Sequence, residues 1–284
     1  MRAAALAAPA LALALAVLAG VAPRARAVSG PPVPILMYHH VAPAAPPARL
    51  PALWVRPGAF ADQVRALRRA GYRAVTLERV WDAWTGGPPL PCLPVVLSFD
   101  DGYADQVRNA LPVLRRARWP GVLNLALRFL PGMGGTTAVR RLLAAGWEID
   151  SHSITHADLT TLPPARLRRE LAGSRARIRS LFGVPANFFA YPSGRVDAAV
   201  VAAVRRAGYL AATTTRMGYA TPRDRFRLAR VQVSRGLSAA DLLRRLRAIR
   251  PRGAARATRG DARAVTARAR VWGRCCRAAC AASR

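Results

Sequence analysis

Short apolar runs recur along the chain, and between them apolar positions return every three or four residues. The first run, VPILMYHHV, reads as a strand ending at His39-His40 and is followed by a proline-rich loop over 42–57. GAFADQVRALRRAGYRAVTL then reads as a helix with Phe60, Val64 and Leu67 on one face, stopped at Gly71 and passing into a strand. The glycine- and proline-rich TGGPPLPCLP leads into LPVVLSFDD, whose Val95, Val96, Leu97 and Phe99 predict a buried strand. A helix over 104–118 precedes GVLNLAL, and a helix over 137–145 precedes GWEIDSHS. PPARLRRELAGSRARIRSLFG, entered through prolines and closed by Gly183, precedes NFFAY. DAAVVAAVRRAG precedes YLAATTT, and RLARVQV precedes a last helix over 239–249. Strands alternating with helices require parallel strands joined by crossover helices. Seven or eight such units in about 220 residues fit one α/β barrel better than two domains.

The two ends break this pattern. Residues 1–27, with Arg2, an Ala/Leu-rich stretch and the small-x-small triplet Ala25-Arg26-Ala27, read as a secretory signal peptide. An uncleaved membrane anchor is the alternative, since the apolar stretch approaches spanning length. No cysteine follows the apolar stretch, so a lipoprotein is not indicated. Residues 28–250 form the expected catalytic domain, and 251–284 an Ala/Arg-rich tail with few large apolar residues, expected to be disordered.

Of 284 residues 52% are hydrophobic, which suits a globular domain, and the net charge is +31. That charge would normally point to nucleic acid. Every basic residue is arginine, however, and Ala, Pro and Gly are abundant, the joint bias of a GC-rich coding sequence. No nucleic-acid-binding module is present, so no nucleic-acid partner is expected. Three of the four cysteines, Cys275, Cys276 and Cys280, crowd into the tail and Cys92 stands apart, so no essential disulfide is expected.

The chain has only four histidines. His39 and His40 end one predicted strand, and His152 and His156 follow another. Asp100 and Asp101 end a third, and YPSG follows a fourth. Strand ends in a parallel barrel meet on one rim, where active sites are built. Two adjacent carboxylates at the end of a buried strand repel each other and lose hydration unless a positive group sits beside them. His152 and His156, four apart, would share one side of a helical turn. With one carboxylate they make a His₂Asp set suited to a divalent ion, zinc by ligand type.

The motifs SFDDGY, HSITH and FAYPSG resemble those of the polysaccharide deacetylases of carbohydrate esterase family 4, over Val33 to Leu237. The resemblance implies a single distorted (β/α)₇ barrel and metal-dependent hydrolysis of N-acetyl groups on a sugar polymer. By motif, Asp100 resembles the general base, and Asp101, His152 and His156 the metal ligands. Two departures stand out. Ala190 and Ser193 occupy places where the family often has Arg and Tyr, and VQVSRG lacks the usual C-terminal histidine. ILMYHHV at the N-terminus is similar to a permuted subgroup that includes poly-β-1,6-N-acetylglucosamine deacetylases. There the histidine after the tyrosine supplies the acid, which assigns that role to His39. His40, with opposite strand parity, should point away. Arg230, on a neighbouring strand, is a candidate to reach Asp100 and orient it.

The implied mechanism has Asp100 taking a proton from the attacking water, the Ser193 backbone N–H stabilising the oxyanion and His39 protonating the departing amine. Trp54, Trp81, Trp84 and Tyr103 are candidates for stacking on sugar rings or for packing. An exported bacterial protein, periplasmic or extracellular and monomeric, without stable membrane insertion after cleavage, is expected. Two other readings stay open: a non-haem iron oxygenase, in which the Asp pair has no role, and a secreted basic polysaccharide-binding protein with a vestigial site. An O-acetyl esterase on a sugar polymer is the nearest alternative within hydrolase chemistry.

Overall fold

The structure, a computed structural model, describes residues 28–44 and 50–251. The segment at 1–27 that reads as a signal peptide, nearly all of the tail and three of the four cysteines lie outside the described residues.

Seven parallel strands close into a barrel: β1 (Ile35–Tyr38), β3 (Pro94–Asp101), β4 (Val122–Leu125), β5 (Glu148–Ser151), β6 (Phe188–Ala190), β7 (Ala211–Met217) and β8 (Leu228–Gln232). Closure comes from β1, which pairs with β3 on one side and β8 on the other. The two-residue β2 (Arg73–Ala74) pairs with the start of β3 outside the ring. The (β/α)₇ barrel expected from the motifs is the observed fold.

Strand alternation sorts the side chains. On β3, Val95, Leu97 and Phe99 join the apolar layer under the helices, while Ser98 and Asp100 take the opposite parity and face the barrel axis. All eight residues of β3 are buried, as a strand covered on both faces requires. On β8, Val231 packs outward and Arg230, 1% exposed, lies inside the barrel.

The helices follow the expected alternation. α1 (Pro57–Arg69) has Pro57 at its start, buries Phe60, Val64 and Leu67, and carries Arg68 and Arg69 in its last turn, where the helix dipole favours positive charge. Three expectations need correction. The strand read after Gly71 is only β2, and the chain then forms α2 (Leu77–Trp84), which was not foreseen. Its N-cap Thr76 accepts a hydrogen bond from the Arg79 N–H, with Glu78 in the first turn. The helices over 104–118 and 164–182 are both interrupted by π-helical turns, at Gln106–Ala110 and Arg169–Gly173. The third correction concerns His152 and His156. They lie in an irregular turn rather than a helical one, with Ser153 and His156 at φ of 73° and 58°.

The remaining crossovers are α3 (Leu111–Ala117), α4 (Leu130–Met133), α5 (Gly135–Ala144), α6 (Pro164–Arg168), α7 (Ser174–Phe182) and α8 (Ala198–Arg206), with α9 (Ala239–Ala248) last. α1 packs on α9, so the first and last described helices seal the seam where β1 meets β8.

Candidate functional site

The Asp pair sits where β3 ends. Asp101 adopts φ 77°, a left-handed conformation costly for a residue with a side chain, and Gly102 follows at φ 107°. A Cβ on Gly102 would lie 2.8 Å from Leu125 Cδ1, so glycine is needed here for space as well as for backbone angle. The turn sends the two carboxylates to different partners.

Asp100 is held by Arg230 in a bidentate pair, Nη1 to Oδ1 at 2.7 Å and Nη2 to Oδ2 at 2.8 Å. Asn124 on β4, the register neighbour of Asp100, donates to Oδ1 at 2.7 Å. Arg230 Nε donates to the Thr214 carbonyl at 2.8 Å, which fixes the fork. Burial disfavours ionisation of Asp100, but Arg230, with His152 and His39, outweighs it and holds the carboxyl well below the usual range. Asp100 is therefore a carboxylate at neutral pH.

Asp101 faces the histidines. Its Oδ1 lies 3.3 Å from His156 Nε2 and 3.6 Å from His152 Nε2. Among the described residues these three form the one group whose potential metal-binding atoms all lie within 4.8 Å of one another. His152 Nδ1 is 2.7 Å from the Ala190 carbonyl, which can only accept, so Nδ1 carries the proton and Nε2 presents its lone pair. The turn carrying both histidines is braced from two sides. Ser153 Oγ accepts from the His156 N–H at 2.9 Å. Glu170, inside the second π-helical turn, accepts from the N–H groups of Ile154 at 2.8 Å and Thr155 at 2.9 Å.

Tyr38 pairs with Phe99, so His39 falls level with Asp100, and its Nε2 lies 3.9 Å from Asp100 Oδ2. Burial pulls the His39 pKa below its ordinary value, against the opposing pull of Asp100 and Asp101. His40 points elsewhere, as its parity requires. Its Nδ1 is 2.7 Å from Asp105 Oδ2, and its ring is sandwiched between Trp54 at 3.7 Å and Tyr103 at 3.6 Å. One face of each of those rings is thus occupied by protein. Trp84 is 1% exposed, with its indole N–H donating to the Pro31 carbonyl at 3.0 Å, and belongs to the core. Trp81 packs edge-on against Phe188, under Arg225.

Of the residues singled out in the sequence, Asp100, Asp101, His39, His152, His156 and Arg230 are brought together. Ser193 stands in the turn after β6, exposed and at φ 54°. Asn124 was missed, although a lone amide in the apolar VLNLAL was its signal. Glu170 and Gln106 were missed because nothing in a helical pattern marks a π-helical turn.

The sequence model of the polysaccharide deacetylase family matches residues 88–212. YxkH of Bacillus subtilis, named as a polysaccharide deacetylase, is 29% identical over 212 residues, 72% of this chain and 73% of that protein. Residues 88–212 thus match a polysaccharide deacetylase domain, and the similarity to YxkH extends over most of the chain.

The family match contains Asp100, Asp101, His152, His156 and Ser193 but neither His39 nor Arg230, which closure of the barrel brings in from β1 and β8. The poly-β-1,6-N-acetyl-D-glucosamine N-deacetylase of Escherichia coli K12 is 41% identical over 68 residues, 24% of this chain and only 10% of that protein. Among solved structures, the Streptococcus pyogenes deacetylase PplD in complex with acetate superposes with a TM-score of 0.71 at 25% identity, covering 78% of this chain and all of that one. IcaB from Ammonifex degensii gives 0.65 at 25% identity over 75% of this chain and 96% of its own.

Proposed function

We propose that this protein is a metal-dependent hydrolase that removes N-acetyl groups from an N-acetylglucosamine polymer and releases acetate. The observation that carries the reading is the pairing of two differently wired carboxylates at the end of β3. Asp100 accepts three hydrogen bonds from Arg230 and Asn124, which leaves a lone pair for water, whereas Asp101 Oδ1 is buried, accepts no hydrogen bond among the described residues and faces two imidazole nitrogens. A divalent ion fits that donor set. Ligands about 2.0–2.2 Å from a tetrahedral zinc stand roughly 3.3–3.6 Å apart, and the two separations between Asp101 and the histidines, 3.3 and 3.6 Å, lie in that range.

Asp101, His152 and His156 would hold the ion, which when bound supplies Lewis acidity and lowers the pKa of water. The remaining steps belong to the chain. Asp100 takes a proton from water as its oxygen attacks the acetamide carbonyl carbon. The backbone N–H of Ser193 is assigned to the developing oxyanion. As the carbon–nitrogen bond breaks, His39 gives its proton to the amine, leaving acetate and a free amino sugar.

The likeness of β1 and its Tyr38-His39 pair to the permuted subgroup favours a β-1,6-linked polymer, and the E. coli relative is named for that substrate. In this reading residues 1–27 direct export to a bacterial envelope or beyond, and the enzyme works there as a monomer on exported polysaccharide without a nucleic-acid partner. No helix among the described residues is long and apolar enough to cross a membrane. Acetate release from β-1,6-linked, β-1,4-linked and peptidoglycan-type N-acetylglucosamine substrates, beside an O-acetylated polymer, tests the assignment. Preference for the β-1,6 N-acetylated polymer is expected. Release from the O-acetylated polymer alone would overturn the N-deacetylase reading.

A further inference from the structure

Gln106 has no part in the chemistry above, yet it is fully buried beside it. Its Nε2 donates to two main-chain carbonyls at once, His39 O at 2.9 Å and Asp100 O at 2.7 Å. Both amide hydrogens are consumed, so the side chain ties the end of β1 to the end of β3 beyond the last β1–β3 register pair, Tyr38 with Phe99. The residues so joined are those assigned as acid and base.

Gln106 opens the π-helical turn Gln106–Ala110, in which the Leu111 N–H bonds back to the Gln106 carbonyl. The extra residue of such a turn changes which side chains face inward, and π-turns inserted in α-helices are frequently functional. A long amide buried beneath the rim is expensive unless bonded. Two hydrogen bonds satisfy its amide N–H groups, whereas its Oε1 is buried without a hydrogen-bond partner among the described residues.

The ring of His39 gives this tie its importance. A catalytic imidazole is ordinarily oriented by a partner on its second nitrogen. His39 Nδ1 is buried and makes no hydrogen bond among the described residues. The imidazole is therefore placed by its main chain and by packing, and the main chain at His39 is anchored to Asp100 through Gln106. We infer that Gln106 is a positioning residue that sets the spacing and aim of the His39 acid relative to Asp100. This rests on the reading of His39 as the acid.

The test compares hydrolysis of an N-acetyl substrate with that of an activated aryl acetate ester, measured on the same metal-loaded sample. An amide needs its leaving group protonated and an activated ester does not, so the ratio of the two rates reports the acid, and it is insensitive to the fraction of protein that is folded. His39→Ala should lower the amide-to-ester ratio most. Gln106→Met, close in shape but unable to donate, should lower amide turnover about 10- to 100-fold, with little change in KM or in metal content, and should lower the ratio in the same direction. Gln106→Asn, too short to span both carbonyls, should do the same and serves if the Met variant does not fold. Equal losses on both substrates, or none, in the Gln106 variants while His39→Ala shifts the ratio would overturn the inference alone. An unchanged ratio in His39→Ala would overturn the acid assignment, and the inference with it.

Discussion

Asp100 and Arg230 are each nearly inaccessible, 2% and 1% exposed, and among the described residues each is the other's only full countercharge. A buried pair of this kind adds little net stability compared with an apolar pair, but breaking it from one side leaves an unpaired buried charge. Arg230→Met should therefore cost about 3–5 kcal/mol in denaturant unfolding. Adding Asp100→Asn should recover much of that loss, since the neutral amide no longer needs the guanidinium. Equal or additive losses in the double variant would show that the two side chains are not coupled. The same pair bears on catalysis. Arg230 keeps Asp100 ionised, and its fork fixes which oxygen lone pairs remain for water. Arg230→Lys, which keeps charge but loses the bidentate geometry, should fold better than Arg230→Met and still turn over poorly.

At the scale of single elements, β5 carries a second carboxylate pair. Glu148 begins the strand and Asp150 faces inward two residues later. Asp150 accepts from the Phe188 N–H at 3.0 Å, Glu148 from the Glu78 N–H at 3.0 Å, and Glu78 from the Asn187 amide at 2.9 Å. Burial, then Asp150, pushes Glu148 well above the usual carboxyl range, and burial pushes Asp150 up to about 6. A carboxyl whose pKa is higher folded than unfolded binds more protons in the folded state. Its contribution is complete below the unfolded value and is lost as pH rises through the folded one. Wild-type stability should thus lose ground between about pH 4 and 6 relative to Asp150→Asn, in which that titration is absent. Parallel pH–stability curves for the two proteins would contradict this. Asp100 acts with the opposite sign, its contribution being lost as pH falls into the acid range, so the comparison must be between variants rather than along one curve.

The elements also show what a sequence can and cannot disclose. Strands β3 to β8 were legible because buried parallel strands are short unbroken apolar runs, and the strand-end polar residues stood out against them. Asp100, Asp101, His152 and His156 were found in this way, and strand parity separated His39 from His40. α2 was hidden by the neighbouring glycines and prolines, although Thr76 and Glu78 are ordinary helix-start residues. The turn holding His152 and His156 was misread as helical because a spacing of four does not distinguish a helix from two left-handed residues braced by Glu170. Side chains that act through backbone carbonyls, as Gln106 does, leave no periodic trace.

For the whole molecule, residues 28–251 contain a closed ring of strands with its seam covered by α1 and α9. Ending the chain after Arg252 should leave the unfolding midpoint and acetate release nearly unchanged, and a large drop in either would show that 253–284 contribute to the domain. The net charge of +31 is spread over arginines throughout the chain, whereas the chemistry is confined to one rim. The central claim is that this rim hydrolyses acetamides with a divalent ion held by Asp101, His152 and His156. It is tested most directly by measuring acetate release from an N-acetylglucosamine polymer while zinc is titrated into chelator-treated protein. The account predicts no release from the stripped protein and full recovery at about one equivalent of ion per chain, with no recovery in Asp101→Ala. Undiminished release from stripped protein, or recovery in Asp101→Ala equal to wild type, would contradict it.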